Sequence, residues 1–150
     1  MTAKKRLIIR TTLISFLMLY TMSLLSCASG GLVVDASNLN ANNPDAATVT
    51  VMRQKAFVGS GVKVEIYVDN ELTAYLGSGD FVRFNARPGV HFIATRQGKF
   101  ENVVRFFAEP NEKYYFYWGI STMGSVEQLT EKEANDIMSK DDFNDVTSND

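Results

Sequence analysis

Residues 62–69 read VKVEIYVD, and this alternation constrains the fold more than any other feature of the chain. Val62, Val64, Ile66 and Val68 point to one side of an extended backbone; Lys63, Glu65, Tyr67 and Asp69 point to the other. A helix would scatter those four apolar residues around its axis. A period of two therefore reads as a strand with one face buried. Asp69, Asn70 and Glu71 follow as a turn, because Asp and Asn tolerate left-handed backbone, and residues 72–76 return as the hairpin partner.

The same rhythm recurs from residue 47 to residue 129. Residues 48–53 (TVTVMR) place Val49 and Val51 on one face. Gly77-Ser78-Gly79-Asp80 breaks the chain, residues 81–86 form the next strand, and Arg87-Pro88-Gly89 turns it, proline presetting its φ and glycine accepting a positive one. Residues 90–97, 102–108, 113–121 and 125–129 complete the series, with Gly98-Lys99 and Glu109-Pro110-Asn111 between strands. About seven or eight short strands at regular spacing, with no helical period among them, predict an all-β antiparallel sandwich, immunoglobulin-like or transthyretin-like. One C-terminal helix closes it. Thr130-Glu131-Lys132-Glu133 has the form of a capping box, and Ala134, Ile137 and Met138 make a narrow apolar stripe at i, i+3 and i+4.

The N-terminus has a different logic. Lys4, Lys5, Arg6 and Arg10 precede the apolar run 11–25, TTLISFLMLYTMSLL, which is short for a membrane-spanning helix of about 20 residues. It ends in Leu24, Leu25, Ser26 and the only cysteine, Cys27. This resembles the lipobox of bacterial lipoproteins. The resemblance implies cleavage after Ser26, a diacylglyceryl thioether on Cys27, often acylation of the new amino group, and a membrane partner held through that lipid. Each buried methylene contributes about 0.8 kcal/mol, so two or three acyl chains hold a protein stably where one does not. Ala28 rather than Asp after the cysteine is similar to outer-membrane-sorted enterobacterial lipoproteins, which implies an outer-membrane site facing the periplasm in a Gram-negative host.

The expected organisation is then a signal peptide at 1–26, a lipidated tether at 27–46, the sandwich with its helix at 47–140, and an acidic tail at 141–150 that frays. The 19 residues from 28 to 46 would span about 65 Å fully extended and about 24 Å as a coil. Leu32-Val33-Val34 interrupts their polar composition, and either packs on the domain or forms a short edge strand.

Several short matches resemble an uncharacterised domain family of prokaryotic membrane lipoproteins, similar to the small β-sandwich repeats named PEGA. They are Val68-Asp69-Asn70, Gly79-Asp80-Phe81, Arg87-Pro88-Gly89-Val90-His91, Lys113-Tyr114-Tyr115-Phe116 after its Glu-Pro-Asn turn, and Ala56-Phe57-Val58-Gly59-Ser60-Gly61. The likeness covers residues 47–130. That family is described without an enzymatic activity, so it implies fold and location more than function. Asn70 stands where glycine is usual there, and asparagine also accepts the turn.

Composition excludes some chemistry. The chain has 15 Lys and Arg against 17 Asp and Glu. Four of those cations lie in residues 1–26 with no acid, leaving 11 against 17, a net charge of −6, for residues 27–150. Such a surface argues against general binding of nucleic acid or anionic lipid. One histidine and one cysteine rule out a multi-His or Cys/His metal site by count. No cofactor is expected, and no spacing marks a catalytic set.

Histidine is the residue type suited to acid–base work near neutrality; the only one, His91, reads as packing beside its turn. Glu65, Asp69, Asp80, Glu101 and Glu109 are scattered, and no spacing selects a glycosidase-like pair. Residues 56–61 lack the lysine and helix of a phosphate loop; Phe57 is expected to plug the sandwich end. The aromatic run 114–118 is the main candidate surface. Tyr114, Phe116 and Trp118 share one side, Tyr115 and Tyr117 the other. One side must be core, and the other is either covered by the helix or exposed as a binding platform, Tyr114, Phe116 and Trp118 being the candidate set. The expected role is a non-catalytic, membrane-anchored interaction module contacting an envelope protein or itself; the alternative is a ligand-binding envelope protein for a glycan, a peptidoglycan fragment or a small apolar molecule.

Overall fold

The structure is a computed structural model, and it describes residues 31–32, 43–119 and 124–147. Eight strands of four or more residues carry the architecture: β2 (Ala47–Arg53), β3 (Val64–Val68), β4 (Glu71–Leu76), β5 (Asp80–Ala86), β6 (Gly89–Gln97), β7 (Phe100–Ala108), β8 (Lys113–Trp118) and β9 (Val126–Leu129). Two-residue strands, β1 (Gly31–Leu32) and β10 (Asn144–Asp145), flank them, and helix α1 spans Glu131–Lys140. They form two sheets, ordered β1-β4-β3-β6-β7 and β10-β5-β2-β8-β9. The described residues form an all-β sandwich with one C-terminal helix.

Alternation built the interior as expected. Val64, Ile66 and Val68 from the first sheet meet Val49, Val51, Val82, Phe84, Phe116 and Trp118 from the second in one core. Val62, read from the sequence as the first buried position of its strand, is instead half exposed at 50%. It precedes β3, which begins two residues later. Burying a side chain such as valine is worth about 1.5–3 kcal/mol, so the facing valines, isoleucines and phenylalanines hold the sheets together.

The sheets are antiparallel-rich but mixed. β2 runs parallel to β8, and β10 parallel to β5. Local hairpins explain the antiparallel pairs β3–β4, β6–β7 and β8–β9. The antiparallel pairs β1–β4, β2–β5 and β3–β6 and both parallel pairs join strands further apart in the chain, which strand periodicity does not encode. Asp69 (φ 50°) and Asn70 (φ 71°) form the two-residue turn between β3 and β4. Positive φ at both positions is the geometry that suits the twist of a tight hairpin.

Helix α1 adds a third layer. Its capping box is formed: Thr130 Oγ1 accepts from Glu133 N–H at 3.3 Å, and Glu133 Oε2 accepts from Thr130 N–H at 2.9 Å. Ala134 is buried in a second cluster with Met52 and Phe81, against which Tyr115, Tyr117, Leu129 and Met138 pack.

One end of the domain takes up the short edge strand left open at Leu32, and the other departs from the expected fraying. Gly31 and Leu32 pair with Tyr75 and Ala74 of β4, so a point only four residues past Cys27 is already part of a sheet. The segment from 141 does not fray at once. Asn144 and Val146 donate backbone N–H groups to the carbonyls of Gly79 and Phe81 at 2.9 and 3.0 Å, and Val146 packs on the core. Leu24, Leu25, Ser26 and Cys27 lie outside the described residues, as does most of the 27–46 tether.

Candidate interaction surface

The aromatic strand β8 is covered on both sides. Phe116 is fully buried and Trp118 nearly so, and the Phe106 ring sits 5.0 Å from that of Phe116 and 5.2 Å from that of Tyr114. Tyr114 is half-buried, its hydroxyl accepting from the Glu109 N–H at 2.9 Å. The Arg53 guanidinium lies 5.3 Å from the Trp118 ring centre. Tyr114, Phe116 and Trp118 are therefore core residues, and the expectation that they form an interaction surface is corrected. The reason is position: β8 lies between β2 and β9, its even-numbered residues facing the other sheet and Tyr115 and Tyr117 facing α1.

Exposed apolar area lies elsewhere, on the outer face of the first sheet. Register places Val90 opposite Phe107, Phe92 opposite Arg105, Ala94 opposite Val103 and Arg96 opposite Glu101. Val90 (43%), Phe92 (45%), Val103 (60%) and Phe107 (58%) all face solvent. Among the described residues no helix lies over this sheet. Asp69, Asn70, Phe92, Ala94, Glu101 and Val103 line an open concavity of about 480 Å³ on the same face.

A polar chain borders the patch. The Tyr67 hydroxyl donates to Glu65 at 3.0 Å, and Arg96 donates to the Tyr67 oxygen at 3.2 Å and to Glu101 at 3.3 Å. Its guanidinium also lies 4.9 Å from the Tyr67 ring centre. Bonding to Glu65 pushes the Tyr67 phenol above its ordinary range, and the Glu101 carboxylate does the same for Arg96.

His91 has two partners. Nδ1 lies 2.6 Å from Asp69 Oδ2, and Nε2 lies 2.7 Å from the Arg87 carbonyl. Asp69 Oδ1 accepts from the Phe92 N–H at 2.9 Å. With both ring nitrogens committed, neither is placed to take a proton from a nucleophile, and the group ties two turns together. Glu65, Glu101 and Asp80 are likewise engaged locally, the first by the Tyr67 hydroxyl and the second by Arg96. Asp80 is buried, accepting from the Gly77 N–H at 2.7 Å and from Asn144 at 3.2 Å. Among the described residues no group of three or more His, Cys, Asp and Glu side chains is placed to hold a metal ion.

Phe57 does not plug the sandwich end; it is 96% exposed, and Val58 beside it 74%. Their loop is nevertheless anchored. Arg53, buried at 3% exposure, donates to the carbonyls of Leu76 at 2.7 Å, Gly59 at 2.9 Å and Val62. Burial lowers its guanidinium below the usual value, and the nearby Asp80 charge pushes back. Sequence reading missed this arginine, which looked like the end of a strand. It also missed Phe92, Val103 and Phe107. On β7 both parities are apolar, Val103 and Phe107 outward against Val104, Phe106 and Ala108 inward, so alternation gave no signal there.

Among the described residues no helix is long and apolar enough to cross a membrane. No protein-family model matches the chain, and no curated protein matches it.

Proposed function

We propose that this protein is a lipid-anchored envelope lipoprotein acting as a non-catalytic interaction module, similar to the small-sandwich lipoproteins, with the outer face of β6 and β7 as its contact surface. The observation carrying this reading is the cluster of Val90, Phe92, Val103 and Phe107 at 43–60% exposure on the outer face of β6 and β7. Apolar and aromatic side chains gathered on one exposed face mark contact sites in soluble domains. The export pattern ending at Cys27 supports the anchor.

The concavity favours one second reading, a bound glycan fragment or small apolar molecule. Its volume of about 480 Å³ falls within the usual range for ligand sites, and its apolar walls with Asp69 and Glu101 at the rim have the usual chemistry.

The test is in-cell crosslinking of the full chain, membrane extraction and mass spectrometry. The double variant Phe92→Ser/Val103→Ser is run beside it, and Cys27→Ala removes the anchor. A stoichiometric partner lost in both variants supports the module. A partner retained by the Phe92/Val103 variant moves the contact off this face. Recovery of no protein favours the ligand reading.

A further inference from the structure

We propose that residues 55–63 form a second membrane contact, with Phe57 and Val58 entering the headgroup–acyl boundary of the bilayer to which the chain is anchored. The inference rests on the anchored reading above, and three observations carry it.

The first is where the chain enters. β1 pairs antiparallel with β4, Gly31 opposite Tyr75 and Leu32 opposite Ala74. The chain leading from Cys27 therefore arrives at the Leu76 end of β4. Four residue steps from Cys27 to Gly31 reach no more than about 14 Å. That end of the sandwich is held close to the lipid rather than lifted away on a long tether.

The second is that the exposed loop sits at the same end and is fixed there. Ser78 Oγ accepts from the Ala56 N–H at 2.8 Å and donates to the Ala56 carbonyl at 2.9 Å. Arg53 joins Leu76 at the end of β4 to Gly59 and Val62 within the loop. Gly59 turns the tip at φ +79°. A side chain as large as Phe57, 96% exposed on a loop held by a buried arginine, is presented rather than left over.

The third is charge. Lys55 and Lys63 flank the apolar tip in sequence, Lys55 also donating to the Asp142 carbonyl at 3.3 Å, and no acid occurs between Arg53 and Val64. Residues 27–150 carry a net charge of −6, so this stretch is a basic exception on an acidic domain. An apolar tip with lysines at its shoulders is the arrangement of side chains at a membrane interface, the ammonium groups staying at the headgroups while the apolar groups sit about 5–10 Å deep.

The experiment uses the full-length, lipid-processed protein reconstituted into phosphatidylcholine–phosphatidylglycerol vesicles. Phe57→Cys, with Cys27 blocked by its lipid, gives one thiol for an environment-sensitive dye. Phe107→Cys places the same dye on the outer face of the first sheet. The expected result is a blue-shifted Phe57→Cys dye quenched severalfold more by brominated lipid than the Phe107→Cys dye. A Phe57→Cys dye quenched by aqueous iodide as freely as the Phe107→Cys dye overturns the proposal. So does a shielded dye that brominated lipid does not quench, since a protein then covers the loop. Flotation and intact mass separate the two readings. Protein that floats and carries lipid on Cys27 but keeps Phe57 in water refutes the loop contact alone. Protein that does not float refutes the anchor, and the loop contact with it.

Discussion

His91 Nδ1 and Asp69 Oδ2 lie 2.6 Å apart, joining the start of β6 to the hairpin turn between β3 and β4. The pair has the outline of half a catalytic triad, yet its surroundings make it a brace. The second ring nitrogen faces the Arg87 carbonyl, and the second Asp69 oxygen takes the Phe92 N–H. The Asp69 side chain is about half exposed, at 47%, which discounts the strength of the contact. We expect His91→Ala to lower stability by about 1 kcal/mol in urea unfolding. Asp69→Ala should cost more, since it also strips the acceptor from Phe92 N–H. Unchanged stability together with a lost cellular activity would make the pair functional instead.

Phe116→Ala should cost about 3–5 kcal/mol, the usual penalty for emptying an aromatic site in a packed core. Phe116 is fully buried, and its ring contacts Phe106 across the sandwich. Trp118→Ala should fall in the same range and also remove the ring beneath Arg53. Denaturant midpoints at constant slope give the measurement. A midpoint within experimental error of the wild type would return β8 to the surface.

Phe107→Ser and Val103→Ser should behave in the opposite way. At 58% and 60% exposure neither side chain closes the core, and surface substitutions usually change stability by about 0.5 kcal/mol or less. Thermal melts should therefore overlay that of the parent, while recovery of a crosslinked partner falls. A loss of several degrees in the melt would show that this face is already covered within the molecule.

The strands were legible because each buries one face. Val64, Ile66 and Val68 announce their orientation, and Asp69-Asn70 announces the turn that both residues then make with positive φ. The capping box was legible because it is local, with Thr130 and Glu133 three residues apart. The contact face was not. Strand β8, with aromatic side chains on both parities, gives no sign of which side is covered, and the answer depended on where α1 docks. The same ambiguity hid Val103 and Phe107. Arg53 was illegible for another reason. A buried arginine is distinguished from a surface one only by the carbonyls that converge on it, and Leu76 comes from elsewhere in the chain.

Acid should detach the helix layer before it opens the sandwich. Bonding to Lys113 at 3.0 Å, with a second bond from the Tyr115 hydroxyl at 3.2 Å, holds Glu131 below the usual carboxylate range. The Thr130 backbone N–H and hydroxyl do the same for Glu133. A carboxylate whose folded value is lowered stabilises the fold above its unfolded value, and that contribution is lost as pH falls through the folded one. Both losses begin near the ordinary glutamate value of about 4.3 and run downward from there. The main core is apolar and does not titrate in that window. Amide exchange should quicken across Glu131–Lys140 below about pH 4 while β2 and β8 stay protected. Glu133→Gln, which keeps the capping geometry, should flatten the response, and Thr130→Ala should cost about 1 kcal/mol at neutral pH. Salt should weaken the Lys113–Glu131 part, because both side chains are more than half exposed. If helix and sheet lose protection together at one pH, α1 is an integral part of a single cooperative unit and its local charges do not set its acid stability.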